Sequence, residues 1–198
     1  MESWEINGAT LEYDDDTHTY IVDGVIVPSV TQILETKFGS KYDRVDSQTL
    51  KRAADRGTAI HKAIEMYCRT GEDDGSKEVH NFRFLCKHYD FDVMDNEVPI
   101  IIWDDGEPAA AGRLDLVMNR GKLLTLGDIK TTSVLDKEYL AYQLNFYRVG
   151  YMQSYGSEIF ELYGIHLRGD TRKAIPIPVS VGAREVWDLI EEYQNAQR

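Results

Sequence analysis

The chain has 198 residues, 42% of them hydrophobic, which is enough to bury one core and suits a single domain rather than two. Its 22 Lys and Arg against 34 Asp and Glu leave a net charge of −12, which argues against a protein that grips nucleic acid by neutralising phosphates over its whole surface. No window approaches the roughly 18 to 20 apolar residues of a membrane span, MESWEINGAT has neither the basic start nor the apolar stretch of an export signal, and Cys68 and Cys86 are too few for a disulfide framework. A soluble cytoplasmic chain with reduced thiols is expected.

Residues 10 to 27 alternate apolar and polar around Tyr20, Val22, Val25 and Val27, with Asp23-Gly24 at the tight turn of a hairpin. Ser29 then caps a short helix carrying Val30, Ile33 and Leu34. From Ser47 a longer helix places Leu50, Ala53, Ala54, Ile60, Ile64 and Tyr67 on one face and runs out at Gly71. A third helix spans Lys77 to His88 with Val79, Phe82, Leu85 and Cys86 inward. Between Lys37 and Lys62, seven basic residues (Lys37, Lys41, Arg44, Lys51, Arg52, Arg56, Lys62) stand against Asp43, Asp46 and Asp55. That local excess of four positive charges is a basic stripe on an acidic body.

The pattern then changes to period 2. Residues 93–103, 108–118 and 122–131 form an antiparallel meander, followed by a helix over 136–155, strands near 158–167 and 173–179, and a terminal helix from Ala183. If Arg120-Gly121 forms the turn, Asp115 lies opposite Leu126, so Asp115, Asp128 and Lys130 share a face while Leu114, Leu116 and Ile129 turn to the core. Two carboxylates so placed repel one another unless a cation sits between them. Hard oxygen ligands of this kind suit Mg²⁺ or Mn²⁺, which also take a phosphate oxygen.

The strings GRLDLV and DIKTT resemble the two catalytic strands of PD-(D/E)XK nucleases, with Asp115, Asp128 and Lys130 in the motif's positions. RGTAIHKAIE resembles the helix of the RecB-like branch that supplies a metal-ligating His, here His61, and AYQLNFYRVGY its helix with Gln and Tyr four apart, here Gln143 and Tyr147. The four motifs occur in the family's order over residues 56 to 151. Leu114 stands where the namesake proline would be, and two cysteines rule out the iron–sulfur cluster of some relatives, so the likeness is to the phage-type exonucleases of the branch.

The resemblance implies an α/β, restriction-endonuclease-like core, a central mixed sheet with an antiparallel meander flanked by helices. In a single domain of residues 1–198, the N-terminal hairpin and short helix take 1–46, the catalytic core 47–180 and a C-terminal helix 181–198. It implies Mg²⁺ or Mn²⁺ held by His61, Asp115, Asp128 and the backbone carbonyl of Ile129, and metal-dependent DNA cleavage from ends. Glu65, one turn beyond His61, and Glu97 are candidates for supporting the ligands. Gln143 and Tyr147 are candidates for contacting the DNA backbone or for packing on the sheet, and Lys51, Arg52 and Arg56 for steering phosphates. An endonuclease or RNA-directed nuclease with the same site, and an acidic protein that mimics DNA, are the rival readings.

Overall fold

In a computed structural model the chain is described over residues 1–39, 46–179 and 183–197. Lys41, Asp43 and Arg44 of the basic stripe lie outside these residues. Four short strands, β1 (Glu2–Ile6), β2 (Ala9–Asp14), β3 (Thr19–Val22) and β4 (Val25–Val27), form an antiparallel sheet in sequential order. The Asp23-Gly24 turn has φ of +48° and +82°, the double positive φ of a type I′ hairpin. The expected hairpin is therefore only the last part of a larger meander. A second positive-φ pair, Asn7-Gly8, turns β1 back onto β2, whose Leu11 and Tyr13 are buried. This sheet packs Leu11, Val22 and Val27 against Ile101 and Ala111 of the main sheet.

Helix α1 (Val30–Phe38) starts at Ser29 with a reciprocal cap: the Ser29 hydroxyl accepts the Gln32 N–H at 3.1 Å and the Gln32 side chain accepts the Ser29 N–H at 2.8 Å. The long helix α2 (Ser47–Thr70) is capped by Asp46 rather than Ser47, its carboxylate accepting the Thr49 N–H at 3.0 Å. It closes on Gly71 at φ +75°. Ile60 and Ile64 are buried, but Leu50 is 38% exposed and Ala53 and Ala54 are exposed. The apolar face expected along the whole helix is thus buried only from Ile60 on, because periodicity shows which way a helix would pack and not how far its neighbours extend. Helix α3 (Lys77–Tyr89) packs Val79, Phe82 and Leu85 inward.

The main sheet runs β5 (Phe91–Asp104), β6 (Glu107–Arg120), β7 (Leu123–Lys130), β8 (Glu161–Arg168) and β9 (Thr171–Ile177), in that order. All neighbours are antiparallel except β7 and β8. That parallel pair is joined by α4 (Lys137–Tyr155), the crossover a parallel pairing requires. Helices α1, α4 and α5 (Ala183–Ala196) cover one face. Helices α2 and α3 cover part of the other face and the N-terminal sheet covers the rest. The chain is α/β, with the restriction-endonuclease-like arrangement expected from its motifs. Close approach of α4 depends on small residues: a Cβ at Gly150 would lie 2.5 Å from Ile100 Cδ1, and one at Gly112 3.0 Å from Tyr147. No described helix is long and apolar enough to cross a membrane.

Candidate active site

The register of β6 on β7 differs from the expected one. Asn119 pairs with Leu124 and Arg120 with Leu123, so the turn is Gly121-Lys122 with Gly121 at φ +60°, the position a type II′ turn reserves for glycine. Moving the pairing by two residues keeps its parity and brings Asp115 and Asp128 level across the strands, where a diagonal had been expected. The ladder, however, stops at Leu116–Gly127, one step short of them. The two acids sit where β6 and β7 part.

Side-chain alternation in β6 also slips there. Leu114 belongs to the core under α1 and α4, whereas Leu116 and Met118 belong to the core under α2 and α3, so Leu114 and Leu116 do not share a face as the alternation predicts. The neighbouring strand bends at the same level, with Glu97 at φ +52° between Asn96–Leu116 and Val98–Leu114. A non-glycine residue in that region costs about 1–3 kcal/mol and persists only where its surroundings hold it. Glu97, Asp115 and Asp128 thus form one row across three adjacent strands, at the level where two of the strands lose their regularity.

Asp115 is 9% exposed. Its Oδ2 accepts the Ile129 N–H at 2.6 Å, a bond that replaces the missing rung of the ladder. Its Oδ1 lies 3.6 Å from His61 Nδ1, which is 4.0 Å from Glu97 Oε1. The His61 ring reaches this place because Ile60 and Ile64 anchor its helix, and Nε2 lies 3.0 Å from the Ile129 carbonyl. With Nε2–H donating to that carbonyl, Nδ1 turns a lone pair toward two carboxylates. The ligand atoms of His61, Glu97 and Asp115 all lie within 4.8 Å of one another, close enough for one ion to touch all three. Burial, then the charge of Asp115, pushes the Glu97 carboxyl up to about 7.

Asp128 is 1% exposed and turns toward α4. Lys130 Nζ lies 2.7 Å from Asp128 Oδ2, so the buried carboxylate has its countercharge within contact. Desolvation pushes the Asp128 carboxyl up to about 6, with Lys130 pulling the other way. Burial opposes the charge on Lys130, but Asp128 and Asp115 outweigh it and hold the ammonium above its ordinary pKa. Lys130 also donates to Gln143 Oε1 at 2.8 Å, and Gln143 Nε2 donates to the Tyr147 hydroxyl at 3.5 Å.

Each expected site residue thus has a definite place. His61, Asp115 and Glu97 bring their ligand atoms together and Asp128 pairs with Lys130 beside them, whereas the Ile129 carbonyl, expected as a metal ligand, is engaged by His61 Nε2. Gln143 and Tyr147 are each 6% exposed. Burial gives them a part in orienting Lys130, so the expectation that they reach out to a DNA backbone is replaced by their packing role. Glu65 pairs with Arg69 at 3.0 Å and adds negative charge near Glu97. Arg56 is engaged by Glu78 at 2.7 Å and Lys51 by Asp55 at 3.4 Å, while Arg52 is exposed on the same half of α2.

One participant was not foreseen. Arg113 holds Glu97 Oε2 at 3.0 Å and Glu2 at 2.9 Å, its guanidinium over the Tyr13 ring. The signal was present in GRLDL, two residues before Asp115, but its partner depends on the pairing of β6 with β5.

The donor set fits a hard divalent cation: carboxylate oxygens of Glu97 and Asp115 and one imidazole nitrogen of His61. The carboxylates outnumber the cations Lys130 and Arg113. No family model matches the chain, and no curated protein matches it. Among solved structures, the crystal structure of SSO0001 is similar, with a TM-score of 0.53 and 17% identity over 87% of this chain and 77% of that one. At that identity the likeness shows the fold alone.

Proposed function

We propose that the protein is a metal-dependent DNA nuclease working from ends, with Mg²⁺ or Mn²⁺ as its ion. The observation that carries this reading is the row Glu97, Asp115 and Asp128, with His61 on one side and Lys130 on the other. Structural ion pairs neutralise themselves, whereas this row keeps excess negative charge in a place that is nine-tenths buried at Asp115 and more so at Asp128, a costly arrangement without a bound cation. Its order also matches the motifs that resemble PD-(D/E)XK nucleases.

The ion would be held by His61 Nδ1, Glu97 and Asp115, whose ligand atoms all lie within 4.8 Å of one another, with Asp128 within reach at the same level of the neighbouring strand. It would polarise a phosphate oxygen and make a bound water more acidic. The protein's own part is positioning and charge. Lys130 stays protonated beside Asp128, so it stabilises charge growing on the phosphate oxygens and orients the attacking water, rather than removing its proton. Gln143 fixes the direction of that ammonium. Arg113 keeps the Glu97 carboxylate turned into the row, and the Ile129 N–H does the same for Asp115. The water oxygen would bond to phosphorus as the bond to the 3′ oxygen breaks, the water's proton passing to solvent and the 3′ oxygen taking one from solvent, leaving a 5′-phosphate and a 3′-hydroxyl.

The net charge of −12 favours a second reading, an acidic protein that occupies another protein's DNA site. One experiment separates the two: linear and closed circular DNA incubated with the protein in Mg²⁺ or in EDTA. Loss of linear DNA in Mg²⁺ alone, with circles intact, is expected. Cutting of circles would make the enzyme an endonuclease, and DNA stable in both Mg²⁺ and Mn²⁺ would remove the nuclease reading.

A further inference from the structure

The turn joining β8 to β9 lies at the same end of the sheet as the acid row, because Lys130 pairs with His166, two residues before Arg168 closes β8. Cations gather around this turn, and three of them are matched: Lys77 by Asp170 at 2.7 Å, Arg56 by Glu78 at 2.7 Å, and Arg83 by Asp73. Two arginines differ. Among the described residues, neither Arg168 nor Arg172 meets a carboxylate. Arg168 Nη1 donates to the Thr131 carbonyl at 3.2 Å, one residue beyond Lys130. The Arg172 guanidinium stands 3.7 Å from the centre of the Phe84 ring, which is 44% exposed and stacks on His88.

An aromatic ring under a guanidinium holds its plane and leaves the N–H edge free, the arrangement that takes phosphate oxygens in pairs. Arg172 pairs with Leu167, which belongs to the core under α2 and α3, so it stands on the face of the sheet that carries the helix of His61. Its strand is two spacings from that of Lys130, about 10 Å. We propose that the phosphate backbone of a DNA strand leaves the acid row across Thr131 and the β8–β9 turn, with phosphates at Lys130, Arg168 and Arg172; this rests on the nuclease reading above. Charge decides the direction. Toward β5 a phosphate meets Glu97, Glu65 and Asp95, where Arg113 and Arg69 are already held by Glu97 and Glu65. Toward β9 it meets two arginines whose charge is unmatched. Local cations suffice on a chain of net charge −12, because salt at physiological strength confines the reach of each exposed charge to about 8 Å.

The test measures binding in Ca²⁺, so that no strand is cut, for a 5′-phosphorylated thymidine dinucleotide and for a thymidine dodecamer. Arg168→Gln combined with Arg172→Gln should weaken dodecamer binding about tenfold or more and flatten its salt slope by about 1.4, twice the 0.7 per phosphate of a single strand. Dinucleotide affinity should stay within about twofold, since the acid row and Lys130 are untouched. Phe84→Leu keeps both charges and removes only the support of Arg172, so it should weaken the dodecamer about two- to fivefold, the scale of an exposed cation–π contact, with the slope unchanged. Lys122→Gln combined with Arg184→Gln removes the same charge from exposed positions in the β6–β7 turn and the first turn of α5, and should change neither affinity nor slope.

Absence of dodecamer binding, an unchanged slope, an equal loss for dinucleotide and dodecamer, or a loss no larger than that of the Lys122 and Arg184 variant would overturn the proposal. Polyglutamate bound as tightly as the dodecamer, with the same dependence on the two arginines, would make the patch a site for an acidic protein and overturn it as well. If binding depends on the arginines as described but no strand is cut in Mg²⁺ or Mn²⁺, the track stands and the nuclease reading falls.

Discussion

Strands β6, β7 and β8 carry charge at both ends, and the two ends are built on opposite principles. At one end Arg120 and Glu161 pair through two hydrogen bonds, and Thr125 adds a third at 3.4 Å. The hydrogen bond to Arg120 comes first among the causes that lower the Glu161 pKa. At the other end the ladder parts and three carboxylates share a row. There burial raises the Glu97 and Asp128 pKa values, and Lys130 and Arg113 balance the charge only in part. A pair that satisfies itself stabilises the sheet; a cluster that does not is ready for a ligand.

The largest expected effect is at the row itself. Asp128→Asn and Asp115→Asn should each remove Mg²⁺-dependent DNA cleavage, a loss of roughly 10³-fold or more if the ion contributes several kcal/mol to the barrier. The stabilities of Asp128→Asn and Asp115→Ala should diverge. Asp128→Asn relieves a buried charge and should raise the melting temperature of the metal-free protein, whereas Asp115→Ala leaves the buried Ile129 N–H without its acceptor and should cost about 1–3 kcal/mol. Calorimetry in EDTA measures both, and a stable Asp115→Ala would show that the Ile129 bond is not what joins the parted strands.

Lys130→Ala should lower turnover by on the order of 10² to 10³, as for loss of one preorganised charge, while metal affinity by titration calorimetry stays close to wild type. Gln143→Leu should lose about tenfold, because the ammonium remains but loses its orientation, and the loss should lie in kcat rather than KM. Equal loss of metal affinity in Lys130→Ala and Asp128→Asn would contradict the division between ligand and cation.

The two ends should also answer pH with opposite signs. A carboxyl whose folded pKa is raised adds stability below its unfolded pKa of about 4, and this is lost as pH rises to the folded value. For Glu97 that window ends near 7. In metal-free protein the melting temperature of Glu97→Gln should therefore gain on wild type between about pH 4 and 7. Glu161 is lowered, so its contribution is present above about pH 4.3 and disappears as pH falls through its folded value. Glu161→Gln should lie below wild type at pH 7 and converge with it in acid. Parallel curves for the two variants would dissolve the contrast.

The smallest effect concerns the exposed half of α2. Reversing Lys51 and Arg52 should weaken DNA binding in Ca²⁺ and flatten its salt dependence by about 0.7 for each phosphate that is no longer neutralised. Arg56, already paired with Glu78, should add little. An unchanged slope would place the strand away from α2.

The sequence by itself determined most of the elements and the residue types at the candidate site. Caps at Ser29 and Gly71, the Asp23-Gly24 turn and the change of period after residue 90 are local signals, because each depends on neighbours a few residues away. The types and spacing of His61, Asp115, Asp128 and Lys130 were equally readable. Tertiary structure decided how they converge. The Gly121-Lys122 turn moved the register by two, the slip at Asp115 carried Leu114 and Leu116 to different faces, and Glu97 joined the row through a backbone bend that no periodicity encodes. The burial of Gln143 and Tyr147 and the pairing of Arg113 with Glu97 likewise depend on elements distant in the chain. A hydrophobic pattern records which side of a strand faces a core; where two strands stop pairing is set by everything packed against them.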